Sequence, residues 1–270
     1  MQTGYYAAAA GMVTQFNRLN TVANNLANVN TNGYKQDNLI TGDFMRVYKN
    51  SRDNLPDANN TSKASAFYQR ALSGVPRIVD SYTNQQVGTM QKTGNPLDFA
   101  LSKEGLFFLV KTPDGLQLTR DGSFTTNTQG DLVTKQGYEV LDRNKQPIHF
   151  SLQNSVITAD KNGQLSVNIP GTSKFAQSSS LFIAAPDNLR ALKKTGDNLY
   201  TYNDVKSLKA DIASNGLKQG FIEKSNVNAV KMMVKLIQAN RMVNMYQKVM
   251  TTQMNDLNQD AINKLASTKA

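Results

Sequence analysis

The chain has 270 residues, 39% of them hydrophobic, and a formal net charge of +10, which leaves room for one or two domains with sizeable cores. It contains no cysteine, so a disulfide framework, a thiolate metal site and a cysteine nucleophile are all excluded. No apolar run approaches the ~20 residues that span a bilayer, and membrane insertion is not expected.

The first predicted element is a helix over Thr3–Val29. Tyr5, Met12, Leu19 and Leu26 recur every seven residues, and Ala9, Phe16 and Ala23 each follow four residues later. This is the 3.5-residue period that lets helices pack along one stripe. Tyr5 to Val13 has the apolar character of a signal-peptide core. No Lys or Arg precedes it, however, and the heptad pattern continues through Asn17, Arg18 and Asn20. It reads as mature helix, so any export uses a route without a cleaved signal. The helix runs into Asn28, Asn30, Thr31 and Asn32, whose side chains compete with helical backbone bonds, and Gly33 is expected to end it with a positive φ. Lys49 to Ala64 is polar with one proline and reads as a linker or loop.

Strand signals dominate from about Ala66 to Leu217. Gly105–Val110 (GLFFLV) suits a buried strand, and Thr112-Pro113-Asp114-Gly115 has the residues of a tight turn. Asp121-Gly122 and Asn162-Gly163 predict hairpins, and Gln129-Gly130-Asp131 predicts a turn. Asp160-Lys161-Asn162-Gly163 has the opening of a calcium loop but lacks the later ligand positions, so it is read as a turn. Leu181–Ala185 is a further strand, followed by Pro186 and a loop through Tyr202. His149 is the only histidine and lies in a strand-like Pro-Ile-His-Phe stretch, where a structural role is expected. The sequence shows no Ser-His-Asp grouping, histidine-rich cluster or phosphate-binding glycine loop, so neither catalysis nor a cofactor or metal is expected.

A last helix is predicted over Val227–Leu265, capped by Ser225 or Asn226. Its seam runs through Met232, Leu236, Ala239, Val243, Tyr246 and Met250 and resumes at Leu257 and Ala261. Residues 220–270 hold seven basic and three acidic side chains, but no tryptophan or Lys/Arg cluster with interleaved aromatics accompanies them. Nucleic acid is therefore not an expected partner, and a solvated basic helix face is favoured. The fold expected is α+β: long N- and C-terminal helices packing together as a coiled-coil-like stem, with a central, mainly β domain. Its segments are 1–48 (assembly helix and joint), 49–65 (linker or loop), 66–219 (β-rich domain) and 220–270 (C-terminal assembly helix).

Three blocks carry a resemblance. Ala23-Asn24-Asn25-Leu26-Ala27-Asn28-Val29-Asn30-Thr31-Asn32-Gly33-Tyr34-Lys35 resembles the N-terminal signature of bacterial flagellar axial proteins, the rod, hook and hook-associated components. Thr93–Ala100 (TGNPLDFA), Thr119–Phe124 (TRDGSF) and Leu132–Tyr138 (LVTKQGY) resemble the β domain shared by rod and hook proteins. Gly220–Asn228 (GFIEKSNVN) resembles the segment that opens their C-terminal helix. Departures are Tyr34 where the signature usually has Phe, Ser102-Lys103-Glu104-Gly105 in place of a Gly-rich turn, and Asn240-Arg241-Met242-Val243 in place of Gln-Arg-Ala-Tyr.

The resemblance implies a non-enzymatic subunit of the flagellar basal-body rod, the drive shaft that carries torque from motor to hook. The implied partners are further copies of the chain, other rod and hook subunits, and the flagellar type III export apparatus. The implied location is the basal body, where the rod crosses the periplasm. The length argues against the hook protein, and the proximal rod is favoured over the distal because Lys49–Ala64 does not resemble the distal protein's segment. The assembly-interface residues implied are Met12, Phe16, Leu19, Asn24, Asn25, Leu26, Asn28 and Gly33, with Met232, Leu236, Val243, Tyr246, Met250 and Leu257. The Asn28–Gly33 joint is expected to be ordered only in the polymer, with Gly33→Asn tolerated better than Gly33→Val. The alternative reading is a basic nucleic-acid- or cell-wall-binding module acting as a monomer.

Overall fold

The computed structural model describes residues 2–43, 76–150, 156–168, 175–205, 207–210 and 216–267. The polar stretch from Lys49 to Ala64 lies outside them. The fold is α+β, and the chain forms two compact units. One gathers Met1–Leu26, Asp37–Tyr82 and Asn228–Ala270; the other gathers Ala27–Gln36 and Thr83–Val227.

Among the described residues the first unit holds two α-helices, α1 (Gln2–Ala27) and α2 (Ala229–Ser267), and a two-stranded sheet of β1 (Asp37–Asp43) with β2 (Pro76–Thr83). The helices pack together. A Cβ on Gly11 would stand 2.6 Å from the Tyr246 ring, so the ring occupies the space a side chain would need. The fully buried line on α1 runs through Ala8, Gly11, Thr14, Val22 and Asn25. The predicted heptad positions flank it: Met12, Leu19 and Leu26 are half-buried, and Phe16 is 44% exposed. Small residues allow the closest approach, which displaces the larger ones to the margin. On α2, Met232, Ala239 and Val243 are buried, while Leu236, Tyr246 and Met250 are half-buried. The side chain of Leu257 lies outside the described residues.

The helix ends differ slightly from expectation. α1 stops at Ala27, and Thr31 N donates to Asn28 O in the turn that follows. Gly33 does have a positive φ, 69°, but it lies beyond that turn and is not the residue that ends the helix. The cap of α2 is Asn228, neither Ser225 nor Asn226: its Oδ1 accepts from Lys231 N at 2.9 Å, the N3 donor that a capping side chain satisfies. Asn25, buried, brackets the start of β1, donating from Nδ2 to Asp37 O and accepting at Oδ1 from Asp37 N. Asn24 is exposed.

The second unit is built from short strands: β3 (Met90–Lys92), β4 (Phe99–Leu101), β5 (Phe107–Thr112), β6 (Gly115–Thr119), β7 (Phe124–Thr126), β8 (Leu132–Thr134), β9 (Glu139–Val140), β10 (Val156–Ala159), β11 (Gln164–Asn168), β12 (Phe175–Ser180), β13 (Ile183–Ala184), β14 (Lys193–Gly196), β15 (Leu199–Thr201), β16 (Leu217–Gln219) and β17 (Phe221–Glu223). The main sheet runs β14-β15-β6-β5-β9-β8-β7, with β13 also on β5; β10-β11-β12 form a second sheet, and β16-β4 and β17-β3 are pairs.

The apolar run at β5 is buried on both faces. Phe108 and Val110 join one core cluster with Phe99, Phe124 and Leu132, whereas Phe107 and Leu109 join another with Phe182 and Tyr200. A strand covered on both sides loses the usual alternation and becomes continuously apolar. The turns at Pro113-Asp114, Gly130 and Asn162-Gly163 join antiparallel neighbours as expected. Asp121-Gly122 does not form a hairpin, because β6 and β7 are not adjacent in the sheet. Gly122 instead lies hard against the Phe99 backbone, where a Cβ would stand 1.9 Å from the carbonyl oxygen. The segment read as loop through Tyr202 contains the β14–β15 hairpin, turned at Asp197-Asn198 with φ of 47° and 59°. Two positive φ values are what a twisted two-residue hairpin requires.

Candidate functional site, a buried ionic joint

Three ionisable side chains meet in the interior of the second unit. Glu223, at the end of β17, accepts at Oε1 from Lys35 Nζ at 2.6 Å and at Oε2 from Arg120 Nε at 2.6 Å. Side-chain exposure of all three is 1%. Long charged side chains are rarely this deeply buried unless they are paired and fully hydrogen-bonded.

Backbone groups meet most of the remaining donors and acceptors. Arg120 donates from Nη2 to Leu101 O at 2.8 Å and Lys103 O at 2.6 Å, and from Nη1 to Leu106 O. The guanidinium thus holds the chain on either side of the Ser102–Gly105 bend. Lys35 Nζ also donates to Gln86 O at 2.7 Å, and Glu223 Oε1 accepts from Gly88 N at 2.7 Å. With two cations to one carboxylate, the cluster is cationic. Burial pushes the Lys35 ammonium below its ordinary value and the Arg120 charge adds to this, while Glu223 opposes both.

The Asn-rich run is fastened along its length to the same unit. Gly33 N donates to Glu223 O at 2.7 Å, and a Cβ on Gly33 would stand 2.6 Å from the Arg120 carbonyl. Asn32 O accepts from Asn198 Nδ2 at 2.6 Å. Lys194 Nζ donates to Lys35 O at 2.6 Å and lies 4.1 Å from the centre of the Tyr34 ring. Gln36 N donates to Asn226 Oδ1 at 2.8 Å. Asn28 closes its own turn, accepting at Oδ1 from Thr31 Oγ1 at 3.1 Å. The joint is therefore ordered within a single chain, contrary to the expectation that it waits for the polymer. The physical reason is that Gly33 closes onto the β unit's backbone, and Glu223 is already in place to receive both Gly33 and Lys35.

Of the residues singled out from sequence, Asn28 and Gly33 fall in this joint. Asn25 and the helix seams lie in the other unit. Arg120 and Glu223 had no role assigned from sequence, although each quoted block supplies one member of the cluster. Arg120 and Glu223 each stand beside an opposite charge, Asp121 and Lys224, and nothing local shows that charges 103 and 188 positions apart will meet. His149 is half-exposed and pairs through Nδ1 with Asp131 Oδ1 at 2.8 Å. Asp131 is held below the ordinary carboxylate range, first by the Asn127 side chain and then by His149. Among the described residues no group of three or more His, Asp or Glu lies together in a metal-holding arrangement, and no helix is long and apolar enough to cross a membrane. Each member of the ionic joint makes two or more hydrogen bonds, so the cluster can fix geometry.

Comparison with known proteins finds three family models along the chain. Residues 6–35 match the flagella basal body rod protein model, residues 104–172 the D1 domain of the flagellar hook protein FlgE/F/G model, and residues 218–264 the C-terminal model of the flagellar basal body rod FlgEFG proteins. The chain is 33% identical over 255 residues to the flagellar basal-body rod protein FlgG of Buchnera aphidicola subsp. Baizongia pistaciae, covering 92% of this chain and 94% of that one. It is 34% identical over 252 residues to FlgG of Agrobacterium fabrum, covering 91% and 93%. It is 30% identical over 265 residues to the flagellar basal-body rod protein FlgF of Caulobacter vibrioides, covering 98% of each.

Proposed function

This chain belongs to the flagellar basal-body rod protein family, and from that premise we propose that it is a structural subunit that polymerises into the rod and carries torque from motor to hook. The observation that carries this reading is the ionic joint. Residues 27–36, which follow α1, and residues 217–227, which precede α2, are anchored on one buried cluster with Arg120. A torque-bearing subunit needs the two chain segments that lead to its helices to be fixed, and a buried pair with satisfied hydrogen bonds resists displacement because separating the charges strands them away from water.

In this reading the α1–α2 pair forms a coiled-coil-like stem, and other rod and hook subunits are the neighbours. Export proceeds through the flagellar type III apparatus. Within the rod, the proximal segment is favoured over the distal, on the character of residues 49–64. The test is a deletion strain complemented with a tagged full-length chain. The reading requires that the deletion stop assembly before the hook and that the tag be recovered in purified basal bodies, at the proximal end of the rod. A deletion strain with complete hooks refutes the rod reading; a tag confined to the distal end refutes only the segment. Recovery of the tag as a salt-sensitive monomer on nucleic acid or cell wall would favour the alternative reading.

A further inference from the structure

Asparagine is a thermolabile residue, and most of all before glycine, which has no Cβ to keep its backbone nitrogen away from the asparagine side chain. The chain has three such steps, Asn32–Gly33, Asn162–Gly163 and Asn215–Gly216; Asn215 lies outside the described residues. The first two are locally alike, since each glycine has a positive φ, 69° and 86°. Their surroundings differ. Asn162 is exposed in the β10–β11 turn. Gly163 N donates within that turn to Asp160 O at 3.2 Å, and Asn162 Nδ2 reaches Asp160 Oδ2 at 3.5 Å. Such an exposed turn opens at little cost.

Asn32–Gly33 is held at long range instead. Gly33 N donates to Glu223 O at 2.7 Å, and Asn32 O accepts from Asn198 Nδ2 at 2.6 Å. The Arg120 backbone fills the space beside Gly33. The Asn32 side chain itself is not sealed in: it is half-buried and lines an open cavity of about 600 Å³ with Thr93, Asp98 and Lys135. Water can reach the amide. What the fold withholds is the nitrogen that would attack it.

We propose that Asn32–Gly33 is a deamidation site that the ionic joint keeps inert, and that isoaspartate there is a one-way mark of a chain whose joint has stood open. In the open chain Gly33 N gives its proton to hydroxide and bonds to Asn32 Cγ. The Cγ–Nδ2 bond breaks, and the amide nitrogen leaves as ammonia with a proton from water, which regenerates the hydroxide. Water then opens the cyclic imide. Breaking the new bond to Cγ gives aspartate; breaking the original peptide bond gives isoaspartate, with the chain running on through Cγ. The net change is one water in and one ammonia out, with no oxidant or reductant. In the closed joint the Gly33 N–H is held by Glu223 O, and the Arg120 backbone keeps the glycine from swinging towards Cγ. An isoaspartyl link adds one backbone atom between the Asn32 α-carbon and Gly33. With Asn32 fastened to Asn198, Gly33 N and Lys35 Nζ then no longer both meet Glu223, so the joint cannot close again. This chemistry needs only the joint and is independent of the rod reading.

The test uses the full-length chain in mildly alkaline buffer, native and in urea, with tryptic peptides followed by mass spectrometry. Asn162 in the same molecule is the reference. In urea the two sites should convert within about twofold of each other, whereas in the native chain Asn32 should be at least about tenfold slower than Asn162. Glu223→Leu should speed Asn32 at least about tenfold and leave Asn162 unchanged. Should that variant fail to fold, Asn198→Gly supplies the folded case: it releases Asn32 O and suits the positive φ at 198, and it should speed Asn32 alone. Equal native rates at the two sites, or an Asn32 rate that no folded variant raises, overturns the gate. Chains aged in urea are then refolded and separated by size exclusion. Isoaspartate at position 32 is expected in the unfolded fraction alone, and isoaspartate at position 162 in both fractions. Folded chains carrying isoaspartate at position 32 overturn the one-way mark. The rod reading fails separately, if the wild-type chain is missing from basal bodies.

Discussion

Glu223 receives Lys35 at 2.6 Å across 188 positions of sequence, and both side chains are 1% exposed. The pair joins the Asn-rich signature to the segment that leads into α2, and Arg120 completes it from a third block. Glu223→Leu leaves two buried cations facing each other. It should destabilise the chain by about 3–5 kcal/mol in urea unfolding, whereas Lys35→Met, Arg120→Met and Glu223→Leu together should cost much less. Equal losses in the single and triple variants would show that the charges do not act as a unit.

Gly33 combines a φ of 69° with backbone 2.6 Å from the position a Cβ would take. Gly33→Val should therefore cost about 1–3 kcal/mol or more in monomer unfolding. Gly33→Asn relieves the dihedral strain but not the clash, so it too should lose stability, in contrast to the tolerance expected from conformational preference alone. A wild-type melting curve for Gly33→Asn would contradict the close approach.

Lys35 gives a pH signature of definite sign. Burial holds its folded-state value below 10.5, so between that value and 10.5 the unfolded chain binds more protons than the folded one. Stability from this group therefore rises with pH across the window, and the burial penalty is present in full below it. The difference in unfolding free energy, wild type minus Lys35→Met, should grow as alkaline buffers approach 10.5. A difference that stays flat or shrinks would contradict the cause assigned here.

Gly11 allows the Tyr246 ring onto the α1 backbone. Gly11→Leu should force the helices apart and cost about 1–3 kcal/mol, read as loss of helical circular dichroism at lower urea. The β unit should be unaffected, as judged by retained protection of the β5 amides from hydrogen exchange.

His149→Ala removes a side-chain contact with Asp131 whose histidine is 49% exposed, and it should cost under about 1 kcal/mol and leave motility intact. Lost motility with normal levels of folded chain would require a role that its pairing with Asp131 does not provide.

Elements with a strong local cause could be read from sequence. The two long helices followed from their heptads, and β5 from an apolar run that only a strand covered on both faces can hide. What escaped was decided at long range. The α1 seam shifted to Ala8 and Gly11 because the partner's ring, not α1's own periodicity, chose the closest approach. β14 is polar and β15 only three residues long, so only their turn marks them. Asp121-Gly122 has hairpin chemistry, yet Gly122 serves a backbone crossing with Phe99. The ionic joint was invisible for the same reason: each of its members looks like an ordinary surface charge until the other two are placed.

The position of Glu223 also sets a timetable. Arg120 finds Leu106 only 14 positions away, but its carboxylate partner lies 103 positions on, and that of Lys35 lies 188 positions on. Closing the longest of these loops costs about 2 kcal/mol more in chain entropy than closing the shortest, and contacts of such separation slow folding. A nascent chain has no carboxylate for the cluster until β17 has been synthesised. Until then nothing offsets the burial of Lys35 beside Arg120, so the last fifth of the chain completes the joint.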